Sequence, residues 1–237
     1  MSSYKIVSIE GNIGSGKSTL LENLREHYKN DTRVVFLKEP VDDWEKIKDK
    51  HGKTMLTKFY TDQEKYSFAF QMMAYISRLK ILRDVVKTIL ADTSNRQYII
   101  ITERSLYTDK YVFAKMLHNQ GKIEDVCYQI YLTWFDEFAK DFPINYSVYV
   151  NTEPLNCYDR IHKRSRVGEE VIPLAYLQEC HTYHEAFLDE AFLDEEFLDD
   201  SSEIKTKKLV LNGNVNIYEN ASILDDWLEQ INEFVRI

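Results

Sequence analysis

The sequence predicts an α/β fold, a parallel sheet covered by helices on both faces. Short β-branched apolar stretches recur at Lys5–Ile9, Arg33–Leu37, Tyr98–Thr102, Tyr146–Val150 and Lys208–Leu211, and longer segments of helical periodicity separate them. A glycine-rich turn directly follows the first stretch. Helices are expected over Lys17–Lys29, Glu64–Leu90, Leu106–Asn119, Ile123–Lys140, Pro154–Lys163, Pro173–Asp199 and Glu219–Val235. No Pro/Gly/Ser-rich linker interrupts the 237 residues, so a single domain over 1–237 is expected.

The first strand leads into Gly11-Asn12-Ile13-Gly14-Ser15-Gly16-Lys17-Ser18, which fits the phosphate-binding pattern G-x-x-x-x-G-K-S/T. Glycine lets the backbone curl until successive N–H groups point at phosphate oxygens, and the following helix adds its positive dipole end. A glycine-rich turn without chemistry is the alternative, but spacing, Lys-Ser and strand-helix context all favour nucleoside triphosphate binding. Lys17 is expected to reach the terminal phosphates and Ser18 a magnesium ion, with Gly11 through Thr19 touching the nucleotide. The expected architecture is a P-loop NTPase fold with five parallel strands in the order 2-3-1-4-5.

The second strand ends in Glu39-Pro40-Val41, with Trp44 following. A carboxylate at the carboxyl end of a strand stands where open α/β sheets bind ligands, and it is placed to take a proton. The long helical segment carries Phe68, Met72, Tyr75, Leu79, Leu82, Val86 and Ile89 as one apolar stripe facing the core. Gln71 and Arg78 stand about 20° from each other just off that stripe, where polar groups can line a pocket.

The third strand runs into Thr102-Glu103-Arg104-Ser105, with Tyr107 and Asp109 beyond. Glu103 is placed to hold magnesium through water, and Arg104 to fix an acceptor hydroxyl and neutralise a transferring group. Arg160, His162, Lys163, Arg164 and Arg166 form a dense basic patch, followed by Gly168-Glu169-Glu170, and suit a lid over about 160–172 that clamps phosphates. The tandem repeat Ala-Phe-Leu-Asp-Glu over 186–200 has a period that does not match a helix turn. It reads as a solvated acidic helix end without assigned function.

A net charge of −9 argues against a nucleic-acid partner. No apolar run reaches the ~18 residues of a membrane span, and the first strand begins by Tyr4, which leaves no room for a leader. A cytoplasmic protein is expected. Cys127, Cys157 and Cys180 fit neither a metal knuckle nor a redox pair, and are expected to be reduced structural thiols.

Taken together, the phosphate loop, Glu39-Pro-Val, Phe70-Gln71 with Ser77-Arg78, Glu103-Arg104-Ser105 with Asp109, and Arg164-Ser-Arg166 resemble the deoxynucleoside kinase family. They are most similar to its deoxycytidine and deoxyguanosine kinase branch. The resemblance runs from about Tyr4 to Leu188 and resumes weakly near Lys208 to Leu211. It implies ATP and Mg²⁺, a deoxynucleoside acceptor and a homodimer. It further implies Glu39 as the base on the 5′-hydroxyl with Arg104 close by, Tyr60 and Glu169 on the sugar 3′-hydroxyl, and Gln71 on the base edge. Arg78 and Asp109 would tune which base fits, favouring deoxycytidine, deoxyadenosine or deoxyguanosine over thymidine. Glu103 would lie near magnesium, and Arg160, Arg164 and Arg166 on the nucleotide side. Two departures stand out: Gly168 replaces a lid acid, and Asn212–Asn216 lacks the acidic residues expected near the donor base, which leaves donor choice open.

Two rivals share these features. A nucleoside monophosphate kinase of the thymidylate kinase type must grip an acceptor phosphate, which a carboxylate at position 39 would repel. A catalytically silent binding subunit would be expected to have lost Lys17, Glu39 or Arg104, and all three are present.

Overall fold

A computed structural model describes residues 2–164, 169, 171–190, 206–219 and 221–236. Five parallel strands, β1 (Ser3–Glu10), β2 (Val34–Leu37), β3 (Gln97–Glu103), β4 (Tyr146–Asn151) and β5 (Lys207–Asn212), form one sheet in the order β2-β3-β1-β4-β5. This is the expected order. In register, Ile9 stands beside Glu103 on β3 and Val148 on β4, so the carboxyl ends of the central strands converge on the phosphate loop. Ile6, Val7, Ile9, Ile100, Ile101, Val148 and Val150 are buried, as expected of strands covered on both faces.

On one face, α1 (Lys17–His27) and α10 (Ala221–Val235) pack Leu20, Leu21, Leu24, Trp227, Leu228 and Ile231 against the sheet. Across it, the 29-residue α4 (Gln63–Ala91) presents Tyr75, Leu79, Leu82, Val86 and Ile89 to the core, with Phe68 and Met72 partly buried. Each fully buried side chain of this size contributes about 1.5–3 kcal/mol, enough for the stripe to set the helix's rotation. Asp62 caps its first turn by accepting from the Lys65 N–H. Residues on the flank of the stripe, Gln71, Ala74 and Arg78, therefore turn toward the carboxyl ends of the strands.

Two details of the helices differ from the sequence reading. Two short helices, α2 (Val41–Trp44) and α3 (Met55–Thr61), occupy the stretch between β2 and α4; neither is long enough to show a period. The helix expected over 106–119 is divided into α5 (Leu106–Thr108), a π-helical turn (Asp109–Ala114) and α6 (Lys115–Asn119). The wide turn falls where Asp109 is buried against Arg78, in keeping with the tendency of π turns to mark functional sites.

After α7 (Asp125–Phe138), α8 (Pro154–Arg164) and α9 (Leu174–Glu190) complete the second layer. The first unit of the acidic repeat is not solvated throughout: Phe187 and Leu188 are buried, and Phe187 stacks on Tyr111 at 5.8 Å. Residues 191–200 of the repeat lie outside the described residues.

Candidate active site

The phosphate loop depends on two glycines in particular. A Cβ on Gly11 would meet the Val150 carbonyl oxygen at 2.7 Å, and one on Gly14 the Cys157 carbonyl oxygen at 2.6 Å, and both have positive φ (142° and 79°). The Asn12 amide donates to the Leu177 carbonyl at 2.8 Å, while its Oδ1 accepts from the Ile13 N–H, which ties the loop to α9. Lys17 Nζ donates to the Asn12 carbonyl at 2.6 Å. Burial, with Arg104 alongside, brings the Lys17 ammonium down to about 7.

Ile13 through Thr19 line a cavity of about 660 Å³ that runs from the loop, past the end of β3, to α4. Gly11 and Asn12 support the loop without lining it. The volume is that of a small-molecule site. At its acceptor end stand Glu39, Tyr60, Gln71, Arg78, Arg104, Asp109 and Glu169, so every substrate residue expected from the sequence borders one space. The Gln71 amide is buried yet has no side-chain partner among the described residues.

A buried ionic network organises this end. Arg104 Nη1 donates to Glu39 Oε1 at 2.7 Å and Arg78 Nη2 to the same oxygen at 3.1 Å. Arg78 Nε also donates to Asp109 Oδ2 at 3.0 Å, and its Nη1 to the Glu103 carbonyl at 2.7 Å. Effective desolvation costs several kcal/mol per ion, so burying four charged groups makes sense only when nearly every donor and acceptor is met. Burial alone would raise the Glu39 carboxyl, but Arg104, Arg78 and Lys17 outweigh it and hold it at about 2. Glu39 is therefore ionised at every physiological pH. The pair's contribution to stability is complete above the ordinary carboxyl value of 4.5 and is lost as pH falls toward about 2.

Arg104 occupies a left-handed backbone conformation, φ 61°, which costs a non-glycine residue about 1–2 kcal/mol. Its N–H is held by the Ile9 carbonyl at 3.0 Å. Its Nε is buried with no partner among the described residues. Nearby, Ser18 Oγ donates to Glu103 Oε1 at 2.6 Å, pairing two hard oxygen donors beside Lys17. That donor set suits magnesium.

At the other end lie Asn156, Asp159, Arg160, Lys163, Arg164 and the loop Gly213–Tyr218. Arg160 donates to three carbonyls, those of Ser15, Gly213 and Val215, at 3.1, 2.8 and 3.1 Å. It thus joins the phosphate loop to the segment after β5. Arg164 is ion-paired with Glu169, and Arg166 and Gly168 lie outside the described residues. Burial, then Glu169, pushes the Tyr60 hydroxyl well above its ordinary value, so it remains a protonated donor. Sequence reasoning missed the walls Leu56, Phe59, Ala74, Phe113 and Tyr176. An apolar residue carries no sequence signal that separates a cavity wall from core, whether it stands in the short α3 or in the long α4 and α9.

No helix among the described residues is long and apolar enough to cross a membrane. The family profile described as deoxynucleoside kinase matches residues 7–236. The chain is 32% identical over 238 residues to a probable deoxycytidine kinase of fowlpox virus, covering 99% of this chain and 90% of that protein. It is 33% identical over 186 residues to human mitochondrial thymidine kinase 2, covering 77% and 64% of the two chains. Mouse deoxycytidine kinase is 32% identical over 200 residues, covering 78% and 75%. With a triphosphate loop at one end of the cavity and an ionised carboxylate between two guanidinium groups at the other, the chain belongs to the deoxynucleoside kinase family of ATP-dependent phosphotransferases.

Proposed function

We propose that the protein transfers the γ-phosphoryl group of ATP to the 5′-hydroxyl of deoxycytidine, deoxyadenosine or deoxyguanosine, and disfavours thymidine. The observation that carries this reading is Arg78 held between Asp109 and Glu39. A base in this cavity meets a fixed guanidinium–carboxylate pair, which offers a donor and an acceptor to an amino-bearing ring edge. Small Ala74 beside it leaves room for a purine. The thymine methyl would press on that pair and strand its hydrogen bonds, and unmatched buried polar groups can cost about 10⁴-fold in selectivity. The relatives include both thymidine and deoxycytidine kinases, so the pocket residues carry this distinction.

Glu39 accepts the 5′-hydroxyl proton as the nucleoside oxygen attacks the γ-phosphorus and the bond to the β-phosphate oxygen breaks. The proton ends on Glu39 and the electron pair on ADP. In a loose transition state the proton moves late, so a base of low pKa suffices once bond formation has acidified the hydroxyl. Arg104 orients Glu39 and offers its guanidinium to the charge on the transferring group. Lys17 leaves the Asn12 carbonyl for phosphate oxygens, Ile13 through Thr19 supply main-chain donors, and Gly11 and Asn12 shape the loop that presents them. Ser18 and Glu103 would hold Mg²⁺, which neutralises phosphate charge when bound. Tyr60 and Glu169 take the sugar 3′-hydroxyl, and Gln71 the base edge. Arg160, Arg164 and Arg166 serve the nucleotide side of a lid over about 160–172, in a chain that forms one catalytic domain.

Salvage of DNA precursors in the cytoplasm fits this chemistry, and the three free cysteines suit a reducing compartment. Exposed Val126, Ile130 and Trp134, one stripe on α7 beside Ile76 of α4, support a homodimer. Sedimentation should then give twice 28.1 kDa; a monomer at micromolar concentration would count against it. The substrate test is a panel of four deoxynucleosides and their 5′-monophosphates with ATP and magnesium. We expect kcat/KM for the cytosine or purine nucleosides to exceed that for thymidine by at least about 10²-fold, with no transfer to monophosphates. Preference for thymidine would refute the pocket argument, and a monophosphate acceptor would favour the thymidylate kinase type.

A further inference from the structure

Arg104 holds an unfavourable backbone angle on a turn between β3 and α5, and something must keep it there. The structure supplies that in a set of buried hydrogen bonds rooted in Glu10, the last residue of β1, which lines no part of the cavity and is fully buried. Glu10 Oε2 accepts from Thr108 Oγ1 at 2.6 Å. Thr108 Oγ1 lies 2.9 Å from Ser105 Oγ and 3.3 Å from the Ser105 N–H, while Ser105 Oγ accepts from the Thr108 N–H at 3.1 Å. A hydroxyl has one proton. The Thr108 proton goes to Glu10 Oε2, so Ser105 must donate its own proton to Thr108. Glu10 thereby gives the whole ring a single direction, and each member polarises the next. The ring begins at the residue after Arg104 and ends at the residue before Asp109.

We infer that Glu10 is a positioning residue for phosphoryl transfer: through the Thr108 hydroxyl it holds the turn that aims Arg104 at Glu39. The inference rests on the proposed roles of Arg104 and Glu39, though neither Glu10 nor Thr108 touches the reactants. A buried carboxyl is a costly anchor unless it is bonded; Glu10 Oε2 is met by Thr108, while Oε1 has no partner among the described residues. The Thr108 bond holds the turn against the backbone strain at Arg104.

The test uses Thr108→Val, which keeps the shape and removes the hydroxyl, and Thr108→Ser, which keeps the hydroxyl. Thr108→Val should lower kcat by about 10- to 10²-fold, because small misplacement of a catalytic group costs that much. KM for ATP and nucleoside should stay within about threefold, and Thr108→Ser should restore the rate. In an Arg104→Ala background Thr108→Val should add nothing, since the group it positions is gone. A wild-type kcat in Thr108→Val, a loss shared equally by KM, or a full extra loss in the Arg104→Ala background would overturn the inference. Should Thr108→Val fail to fold, Glu10→Gln carries the test, since it keeps the volume and replaces the carboxyl with an amide; kcat should fall several-fold at unchanged KM, and an unchanged kcat overturns the inference. If Arg104→Ala itself is fully active, the catalytic reading has failed instead, which separates the two ideas.

Discussion

Glu39→Gln should lower kcat by about 10² to 10⁴ while the nucleoside dissociation constant changes little. Glutamine keeps the shape and one acceptor for Arg104 and Arg78, which bond the same oxygen, Oε1, but it cannot accept a proton. Two guanidinium groups then lack the anion they surround, so some loss of stability should accompany the loss of rate, and the measurement must be made on protein shown to be folded. With the wild-type carboxyl held at about 2, the base stays ionised far below neutrality, and no acid limb from Glu39 should enter the rate profile of the free enzyme above about pH 4. A turnover within about threefold of wild type would remove Glu39 from the chemistry.

Arg104→Ala should cost about 10³-fold or more in kcat, the scale of other arginines that meet charge on a transferring phosphoryl group. Two consequences separate a catalytic from a merely binding role. Arg104 is the largest of the charges that pull the Glu39 carboxyl down, so without it the residual activity should show an acid limb displaced to higher pH. Lys17 moves in the same direction, because Arg104 is the main charge depressing it after burial. If the variant loses only nucleoside affinity, with kcat intact at saturation, Arg104 is a positioning residue and the transition-state argument is wrong.

The parts of the fold legible in the sequence are those carried by repetition or by strict local spacing. The stripe on α4 spans enough turns to announce both helix and buried face, and from it followed the placement of Gln71 and Arg78. The phosphate loop was legible because its spacing is fixed by backbone geometry, as Gly11 and Gly14 illustrate. Short elements were not. Val41–Trp44 and Met55–Thr61 contain too few residues for a period, and the π turn at Asp109–Ala114 leaves the apolar pattern almost unchanged.

Within the site, residue identity was more legible than partnership. Arg160 reads as a phosphate clamp in a basic cluster, and its guanidinium also donates to three carbonyls that join two loops. Arg164 likewise meets Glu169. Such choices depend on which carbonyls and carboxylates the chain brings near in space, and no spacing along the sequence encodes them. The Glu10–Thr108 bond is of the same kind, joining residues 98 positions apart.

The most direct test of the account is the distance from Glu39 to the acceptor oxygen in a crystal structure with a deoxynucleoside and a non-hydrolysable ATP analogue. A Glu39 carboxylate oxygen within about 2.6–3.2 Å of the 5′-hydroxyl, with that hydroxyl facing the γ-phosphorus, is the predicted result. A nucleoside whose 5′-hydroxyl lies beyond hydrogen-bond reach of Glu39, or whose sugar points away from the phosphate loop, would contradict it.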